Sequence, residues 1–244
     1  MNHPDLIASW KAEESIAHIH GWDFSHIDGR YTEETDLPWD YRETILRYLS
    51  PEKKLLDIDT GGGEFLLSLG HPHHNLAATE AYPPNVDLCK ETLLPLGIDF
   101  READGNGPFP FEDNSFDIVI NRHGDFFAPE IYRILKPGGI FITQQVGADN
   151  DRELVKLLLP NETALPFPEQ YLHIAAEKFR AAGFTILEEH ECYRAIRFTD
   201  IGALVWFARI IQWEFPGFSV DGCLDALLSA QKQLEKDGFV EGAG

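Results

Sequence analysis

Two acidic residues and a glycine-rich turn follow three successive apolar runs, which is the spacing of a nucleotide-type ligand site. The turn at residues 61–63 follows the first run, Glu80 closes the second, and Asp104 follows the third. Glycines let backbone N–H groups approach a polar ligand, and a carboxylate about 20 residues further on is placed to bind a ribose diol. The glycine triplet alone is more typical of an ordinary βα loop. The three groups together favour an adenosine lying across three strand ends.

Alternating strands and helices are the elements that must position these residues. Helices are expected between the strands, including one from Asn85 to Leu93 whose start is limited by Pro83 and Pro84. The pattern predicts an α/β fold in which a doubly wound, mostly parallel sheet carries the site at the carboxyl ends of its strands. Apolar runs predict the strands at residues 55–58, 76–79, 98–101, 116–120, 140–146 and 184–194.

The same segments resemble the class I S-adenosylmethionine-dependent methyltransferases over roughly residues 45–195. The sequence Asp57-Ile-Asp-Thr-Gly-Gly-Gly63 resembles their glycine-rich motif, Glu80 their ribose-binding acid, and Asp104 the acid that meets the adenine amino group. The resemblance implies a Rossmann-like methyltransferase with S-adenosyl-L-methionine as its cofactor. Segments similar to the fourth strand and to the turn into the fifth strand are residues 116–121 and 135–143. The implied cofactor-binding residues are Asp57, Asp59, Thr60, Gly61, Gly63, Glu80, Ala81, Asp104, Gly105 and Asn121.

Asp59 departs from the resembled motif, which usually has glycine at this position. A carboxylate there either contacts the amino group of the ligand or crowds the turn and weakens binding. Both interpretations stay open from the sequence. The second interpretation is compatible with a ligand-binding module that has lost catalysis, as an alternative to an active methyltransferase.

The charge balance argues against nucleic-acid and membrane partners. The 244-residue chain has 20 Lys and Arg against 41 Asp and Glu, a formal net charge of -21. Binding to phosphate-rich surfaces needs clustered cations, so RNA and anionic membranes are disfavoured. The first residues contain no apolar core typical of a signal peptide, and no apolar stretch approaches 18 consecutive residues, so we expect a soluble protein. We therefore expect a small-molecule substrate, with an RNA or protein methyltransferase as the alternative.

Cysteine and histidine spacing indicates neither a disulfide framework nor a metal site. Cys89, Cys192 and Cys223 are scattered and odd in number, which fits a reducing cytoplasm. The histidines have no cysteine or carboxylate at ligand spacing. We therefore expect a cytoplasmic protein that holds no metal. The histidines concerned are His18, His20, His71, His73 and His74.

Three regions are predicted along the chain. They are an N-terminal cap segment (1–45), an S-adenosylmethionine-binding Rossmann-like domain (46–200), and a helical insertion with a C-terminal tail (201–244). The insertion follows the sixth strand, and beyond it only Phe239 and Val240 are apolar. The family's seventh strand is therefore expected to be short or missing. An uncovered strand edge favours self-association, which makes a homo-oligomer possible.

His123 follows the fourth strand and is the predicted catalytic base, because an imidazole can take a proton at neutral pH. The alternative is that no base is used, since methyl transfer from a sulfonium depends mainly on positioning. Aromatic residues near both chain ends, from Trp22 to Trp39 and from Trp206 to Trp213, are expected either to enclose a small apolar or uncharged acceptor or only to cover the sheet. The residues predicted to contact the substrate are Tyr31, Trp39, Arg122, Gln145, Trp206 and Trp213.

Overall fold

The computed structural model describes residues 3–18 and 23–243, which fall into two compact units. Both units are discontinuous in sequence. His20 and Trp22, which entered the predictions, lie outside the described residues. The domain boundaries predicted at residues 45 and 200 stay predictions. The first unit comprises residues up to 37, 147–171 and those from 191 onward, and the second unit comprises residues 38–146 and 172–190.

Helices and strands alternate through most of the chain. The helices are α1 (His3–Ile16), α2 (Tyr41–Tyr48), α3 (Glu64–Ser68), α4 (Pro83–Thr92), α5 (Ala128–Ile134), α6 (Arg152–Leu158), α7 (Leu172–Ala181), α8 (Ile201–Ile210) and α9 (Leu224–Asp237). Short 3₁₀ turns lie at Ser25–Ile27, His73–Asn75 and Leu94–Leu96. The strands are β1 (Tyr31–Glu33), β2 (Leu55–Ile58), β3 (Leu76–Glu80), β4 (Asp99–Glu102), β5 (Phe116–Arg122), β6 (Leu135–Gln144), β7 (Ala195–Phe198) and β8 (Val240–Ala243).

The second unit contains a five-stranded parallel sheet in the order β4-β3-β2-β5-β6. Both faces of this sheet are covered. Leu55 and Ile118 belong to the core on one face, whereas Leu56 and Val119 belong to the core on the other. Burial on both faces explains why these strands read as continuous apolar runs. The strand order reverses between β2 and β5, so the predicted doubly wound, mostly parallel α/β fold is confirmed.

β6 begins earlier than the sequence predicted. It starts at Leu135 and includes Pro137 and two glycines, where a turn was expected. Gly138 has a φ of 79°, and the pairing register of β5 with β6 shifts between Phe116 and Ile118. The expected turn therefore lies in an irregular part of the strand, where the pairing passes from Leu135 directly to Ile140.

The first unit contains a three-stranded antiparallel sheet in the order β1-β7-β8. Its core includes Trp10 of α1, Phe198 of β7, Trp206 of α8 and Val240 of β8. Every residue of α8 except Arg209 is buried, because this helix is apolar around its whole circumference. The pair α8 and α9 follows β7, so the helices predicted after residue 200 are present.

The predicted sixth strand was wrong. Residues 184–194 form no strand, and the pairing there starts only at Ala195 in β7. Residues 188–191 are four consecutive exposed polar side chains, which cannot supply the apolar face that a strand in a core needs. β8 is short, with four residues, and runs antiparallel to β7.

Helix α4 starts two residues before its predicted start. Pro83 and Pro84 occupy its first turn, where the missing N–H group of proline has no helical partner to lose. The longest described helices, α1 and α9, have 14 residues each. Across residues 3–18 and 23–243, no helix combines the length and the apolar composition that crossing a bilayer requires.

Candidate functional site

The carboxyl ends of the parallel strands bring the predicted cofactor residues to one edge of the second unit. The pairing register joins Ile58 of β2 to Asn121 of β5, and Asn121 to Thr143 of β6. On the other side of β2, Glu80 at the end of β3 is paired with Glu102 of β4. Residues that directly follow these positions therefore lie along one edge of the sheet. All the residues predicted to bind the cofactor lie at this edge.

Glu80 ties two loops of this edge together through its carboxylate, and the residue is only 6% exposed. Oε2 accepts a hydrogen bond from the Gly61 N–H at 2.8 Å. Oε1 accepts hydrogen bonds from the N–H groups of Ala81 and Tyr82, each at 2.9 Å. The Asn85 amide is 3.4 Å from Oε2. The carboxylate therefore fixes the glycine turn after β2 relative to the end of β3.

Asp57 is buried at the end of β2 and shapes the turn that follows. Its Oδ2 accepts a hydrogen bond from the Thr60 hydroxyl at 2.6 Å, and the Thr60 N–H donates to the Thr79 carbonyl at 3.0 Å. Burial raises the pKa of Asp57 to about 7, the Thr60 hydroxyl opposes this shift, and the Glu80 charge reinforces it. Asp57 and Thr60 thus hold the backbone of the turn in place.

Gly61 and Gly63 have positive φ angles of 65° and 84°, which side chains rarely adopt. A Cβ atom on Gly63 would lie 2.7 Å from the Leu93 side chain, so this glycine allows close packing. A Cβ atom on Gly61 would meet no atom within 4 Å. The turn therefore presents an open face at Gly61. The Gly61 carbonyl accepts a hydrogen bond from the Cys89 thiol at 3.0 Å.

Asp59 also has a positive φ, at 54°. This conformation explains why glycine is usual at this position of the resembled motif. The side chain is half-buried. Burial and, to a smaller extent, the nearby charges of Glu80, Asp125 and Asp104 together raise the pKa of Asp59 to about 7. The ionised form of Asp59 is therefore disfavoured at the sheet edge where the cofactor-binding residues are predicted.

Asn121 is fully buried and connects three strand ends. Its Nδ2 donates to the Ile58 carbonyl at 3.1 Å, and its Oδ1 accepts a hydrogen bond from the Gln145 side chain. The Tyr41 hydroxyl donates to the Asn121 carbonyl at 3.1 Å. The side chain of Asn121 therefore sets the spacing of β2, β5 and the segment after β6.

Asp104 is exposed in the turn after β4, and the neighbouring Gly105 is buried. The Asp104 Oδ1 accepts a hydrogen bond from the Asn106 N–H at 2.7 Å. The Asn106 side chain in turn donates to Asp125 Oδ2 at 2.7 Å. The loops after β4 and β5 are thus linked through Asn106.

His123 lies in the turn after β5 with a φ of 58° and an exposed side chain. Its N–H donates to the Gln144 carbonyl at 3.0 Å. Partial desolvation of the ring lowers the pKa of His123 to about 4, and the Arg122 guanidinium acts in the same direction. The imidazole is therefore neutral at pH 7, which is the form that can accept a proton.

The residues predicted to contact the substrate are divided between the two units. Trp39, Arg122 and Gln145 belong to the second unit. The Trp39 indole N–H donates to Gln144 Oε1 at 3.0 Å, and the Arg122 guanidinium lies 5.9 Å from the centre of the Phe65 ring. The predicted contacts of these three residues with substrate stay predictions.

Tyr31, Trp206 and Trp213 belong to the first unit. Tyr31 stacks on Phe198 with ring centres 5.8 Å apart, and Trp213 is 46% exposed. Trp206 is 2% exposed and packs edge-on against Phe24. Tyr31 and Trp206 therefore have packing roles in the first unit, and a substrate contact by either stays a prediction. Trp206 also borders a cavity of about 290 Å³, whose other lining residues are Ile16, His18, Asp23, Ser25 and His26.

Sequence reasoning missed Asn106, Gly124 and Asp125. The sequence does contain a signal, since Gly124-Asp125 follows β5 much as Asp104-Gly105 follows β4. Only the spatial contact between the two turns gives this repetition a meaning. Within the parts of the chain that the structure describes, no group of three His, Cys, Asp or Glu side chains is arranged to hold a metal ion.

A sequence profile of the methyltransferase domain matches residues 56–143. The match runs from β2 into β6, so it covers the strands whose ends form the edge described above. Residues 56–143 are therefore similar to the methyltransferase domain family. The cofactor that this similarity implies is S-adenosyl-L-methionine.

Curated relatives of the methyltransferase domain include enzymes named for lipid and sterol substrates. The phthiotriol/phenolphthiotriol dimycocerosates methyltransferase of Mycobacterium tuberculosis is 29% identical over 121 residues, covering 46% of this chain and 44% of the relative. The sterol 24-C-methyltransferase of Schizosaccharomyces pombe is 27% identical over 160 residues, covering 59% of this chain and 42% of the relative. The chain thus spans less than half the length of these relatives.

A solved structure of a candidate methyltransferase from Bacillus halodurans is similar in fold. Its TM-score is 0.53 at 17% sequence identity, and the similarity covers 84% of this chain and 95% of that one. At this identity the likeness shows the fold alone. It agrees with the parallel sheet of the second unit.

The edge of the methyltransferase domain fits S-adenosyl-L-methionine in two respects. The backbone at Gly61 has an open face, because a Cβ atom there would contact nothing within 4 Å. Carboxylates stand at the ends of the next two strands, where Glu80 and Asp104 follow β3 and β4. These groups supply the acceptors that a ribose diol and an adenine amino group need.

Proposed function

We propose that this protein is an S-adenosylmethionine-dependent methyltransferase whose acceptor is a small organic molecule. The observation that carries the proposal is the alignment of Gly61, Glu80 and Asp104 at the ends of β2, β3 and β4. In this arrangement Asp104 binds the adenine amino group and Glu80 binds the ribose diol. When bound, S-adenosyl-L-methionine supplies an electrophilic methyl group on its sulfonium.

The proposed acceptor class rests on charge and on the relatives. A net charge of -21 disfavours a polyanion such as RNA, because attraction to phosphates needs clustered cations. The two relatives described above are named for a lipid and a sterol substrate. Trp39, Arg122 and Gln145 are the residues of the second unit that we assign to the acceptor. A cytoplasmic location, expected from cysteine usage, belongs to the same proposal.

The acceptor class can be tested by competition between pools. Purified protein is incubated with tritiated S-adenosyl-L-methionine and, in separate reactions, a small-molecule extract, bulk RNA or bulk protein. We expect label to enter the small-molecule extract. Label that enters only RNA or only protein would overturn the proposed acceptor class. Binding of S-adenosylhomocysteine without turnover in any pool would instead identify a ligand-binding module.

His123 is the side chain that we assign to proton removal from the acceptor. Its imidazole is neutral at pH 7, as a base must be, but a pKa lowered to about 4 makes it a weaker base than an ordinary histidine. The replacement His123→Asn removes the imidazole and keeps a residue that tolerates the left-handed φ of 58°. We expect kcat to fall by about 100-fold, the lower bound for general-base catalysis.

The same variant separates catalysis from binding. Affinity for S-adenosylhomocysteine, measured by calorimetry, is expected to stay within about twofold of the unchanged protein, since the imidazole contacts the acceptor in this proposal. An unchanged kcat would show that the reaction needs no base and depends on positioning alone.

A further inference from the structure

Asp59 is held against two glycines that are distant in sequence. A Cβ atom on Gly124 would lie 2.6 Å from Asp59 Oδ2. A Cβ atom on Gly105 would lie 2.7 Å from the same oxygen, but its nearest neighbour would be the Asp125 carbonyl oxygen at 2.3 Å. Real Cβ atoms essentially never make contacts this short. The Asp59 side chain therefore occupies volume that a side chain at position 124 would otherwise fill, whereas the Asp125 backbone already excludes a side chain at position 105. An acid at position 59 is matched by glycine at position 124.

Three neighbouring carboxylates add negative charge around Asp59. The charged groups that act on it are the carboxylates of Glu80, Asp125 and Asp104. The backbone of Asp125 provides a hydrogen bond to Asp59. Like charges at short distance disfavour ionisation, and a bound cation relieves that cost. The cluster is thus suited to a positively charged group of a ligand.

The order of the strands indicates which part of the cofactor reaches Asp59. In the proposed function adenine lies at the end of β4 and ribose at the end of β3. The next strand in the sheet is β2, which leads into Asp59, and the one after it is β5. The methionine part of the cofactor therefore extends over the β2 and β5 ends. An α-ammonium group is the positive charge at that end of the molecule.

We propose that the Asp59 carboxylate binds the α-ammonium group of the cofactor's methionine part, and that Gly124 lacks a side chain so that this carboxylate fits. The inference rests on the proposed function and assigns the role of one residue within that site. It also explains why a motif position usually occupied by glycine tolerates an acid in this chain. The charge of Asp59 then belongs to cofactor recognition.

Two ligands distinguish the contact between Asp59 and the ammonium group from all other contacts of the cofactor. S-adenosylhomocysteine and 5′-methylthioadenosine share the adenosine and thioether, and only the former has an ammonium group. For Asp59→Asn, which keeps the side-chain shape and tolerates a positive φ, we expect S-adenosylhomocysteine affinity to fall by at least about tenfold. We expect 5′-methylthioadenosine affinity to change by less than about twofold, because this ligand has no group to pair with Asp59. Calorimetry gives both values.

Asp125→Asn is the matched control, because it removes one negative charge from the same cluster and leaves Asp59 in place. We expect it to weaken S-adenosylhomocysteine binding by less than about threefold. Equal losses in the two variants would show that general electrostatics, rather than a contact with Asp59, attracts the ligand. Equal loss of both ligands in Asp59→Asn, or loss of neither, would also overturn the inference. If neither ligand binds the unchanged protein, the proposed function itself fails.

A pH series provides a second measurement that needs no variant. Because the pKa of Asp59 is raised to about 7, the free site is increasingly protonated below neutral pH. We expect S-adenosylhomocysteine affinity to fall roughly tenfold from pH 7.5 to 6, while 5′-methylthioadenosine affinity stays constant. Asp57 titrates over the same range, but it remains in Asp59→Asn, so a slope that persists in this variant would assign the effect to Asp57 and contradict the inference.

Discussion

Replacing Glu80 by alanine is expected to weaken S-adenosylhomocysteine binding by at least about tenfold. In the proposed function the carboxylate accepts hydrogen bonds from two ribose hydroxyls, and charge-assisted bonds of this kind contribute about 1.5 to 3 kcal/mol each. The carboxylate also accepts hydrogen bonds from three backbone N–H groups, including that of Gly61. Alanine removes both the ligand contact and the link between the loops, so the thermal midpoint should fall as well.

The control for this substitution is Glu102→Ala. Glu102 is paired with Glu80 in the register of β3 and β4, but it is exposed and forms an ion pair with Lys90 at 3.4 Å. Exposed ion pairs contribute little, so we expect ligand affinity to stay within about twofold. Glu80→Gln, which keeps the side-chain length, distinguishes loss of the charge from collapse of the turn. Unchanged S-adenosylhomocysteine affinity in a folded Glu80→Ala protein would refute the ribose assignment.

The parallel sheet was predictable because its determinants are local in sequence. Leu55 to Ile58 are apolar at every position, as a strand covered on both faces requires, and the glycines at 61–63 mark the end of that strand. Glu80 stands at a spacing that the doubly wound fold fixes. The chain order of such strand ends therefore locates the edge of the sheet without knowledge of any tertiary contact.

The arrangement around Asp59 was not predictable in the same way. The fit of its carboxylate depends on Gly124, which follows a different strand. No local pattern connects these two positions. The sequence did reveal the unusual residue, but whether the acid crowds the turn or fits within it depends on packing between loops.

The short strands of the first unit were also beyond the sequence pattern. β7 has four residues and belongs to a sheet whose other strands come from residues 31–33 and 240–243. Strands this short carry too few residues for a reliable period, and their pairing partners are far away in the chain. From the sequence alone, the polar run at residues 188–191 therefore could be taken for an interruption within a strand. The structure shows that no strand is present there.

Asp151 and Glu214 place two carboxylates inside the first unit, where each residue is only 3% exposed. The Asn150 side chain donates to Asp151 Oδ2 at 3.0 Å, whereas Glu214 Oε2 has no hydrogen-bond partner. Burial raises the pKa of Asp151 to about 7, and the charge of Glu214 reinforces this more than those of Glu33 and Glu153. Ionisation of this pair therefore costs the folded state free energy.

The sign of the pH dependence follows from the raised pKa. The pKa of Asp151 is near 3.8 in the unfolded chain and about 7 in the folded protein. The stability that this difference contributes is fully present below pH 3.8 and is lost as the pH rises through about 7. At pH 8 the buried charge lowers the free energy of unfolding by up to about 4 kcal/mol. Asp151→Asn removes this charge, and asparagine also tolerates the φ of 55°.

We expect Asp151→Asn to raise the thermal midpoint at pH 8 by at most about 8 to 16 °C and to leave it nearly unchanged at pH 4. Glu153→Gln is the control, because Glu153 is exposed on the neighbouring turn of α6 and its neutralisation should shift the midpoint only slightly at either pH. Differential scanning calorimetry at both pH values measures the two variants. The prediction would be contradicted if the thermal midpoint of Asp151→Asn at pH 8 were equal to or below that of the unchanged protein. In that case the surroundings of Asp151 compensate its negative charge, and the charge does not destabilise the folded state.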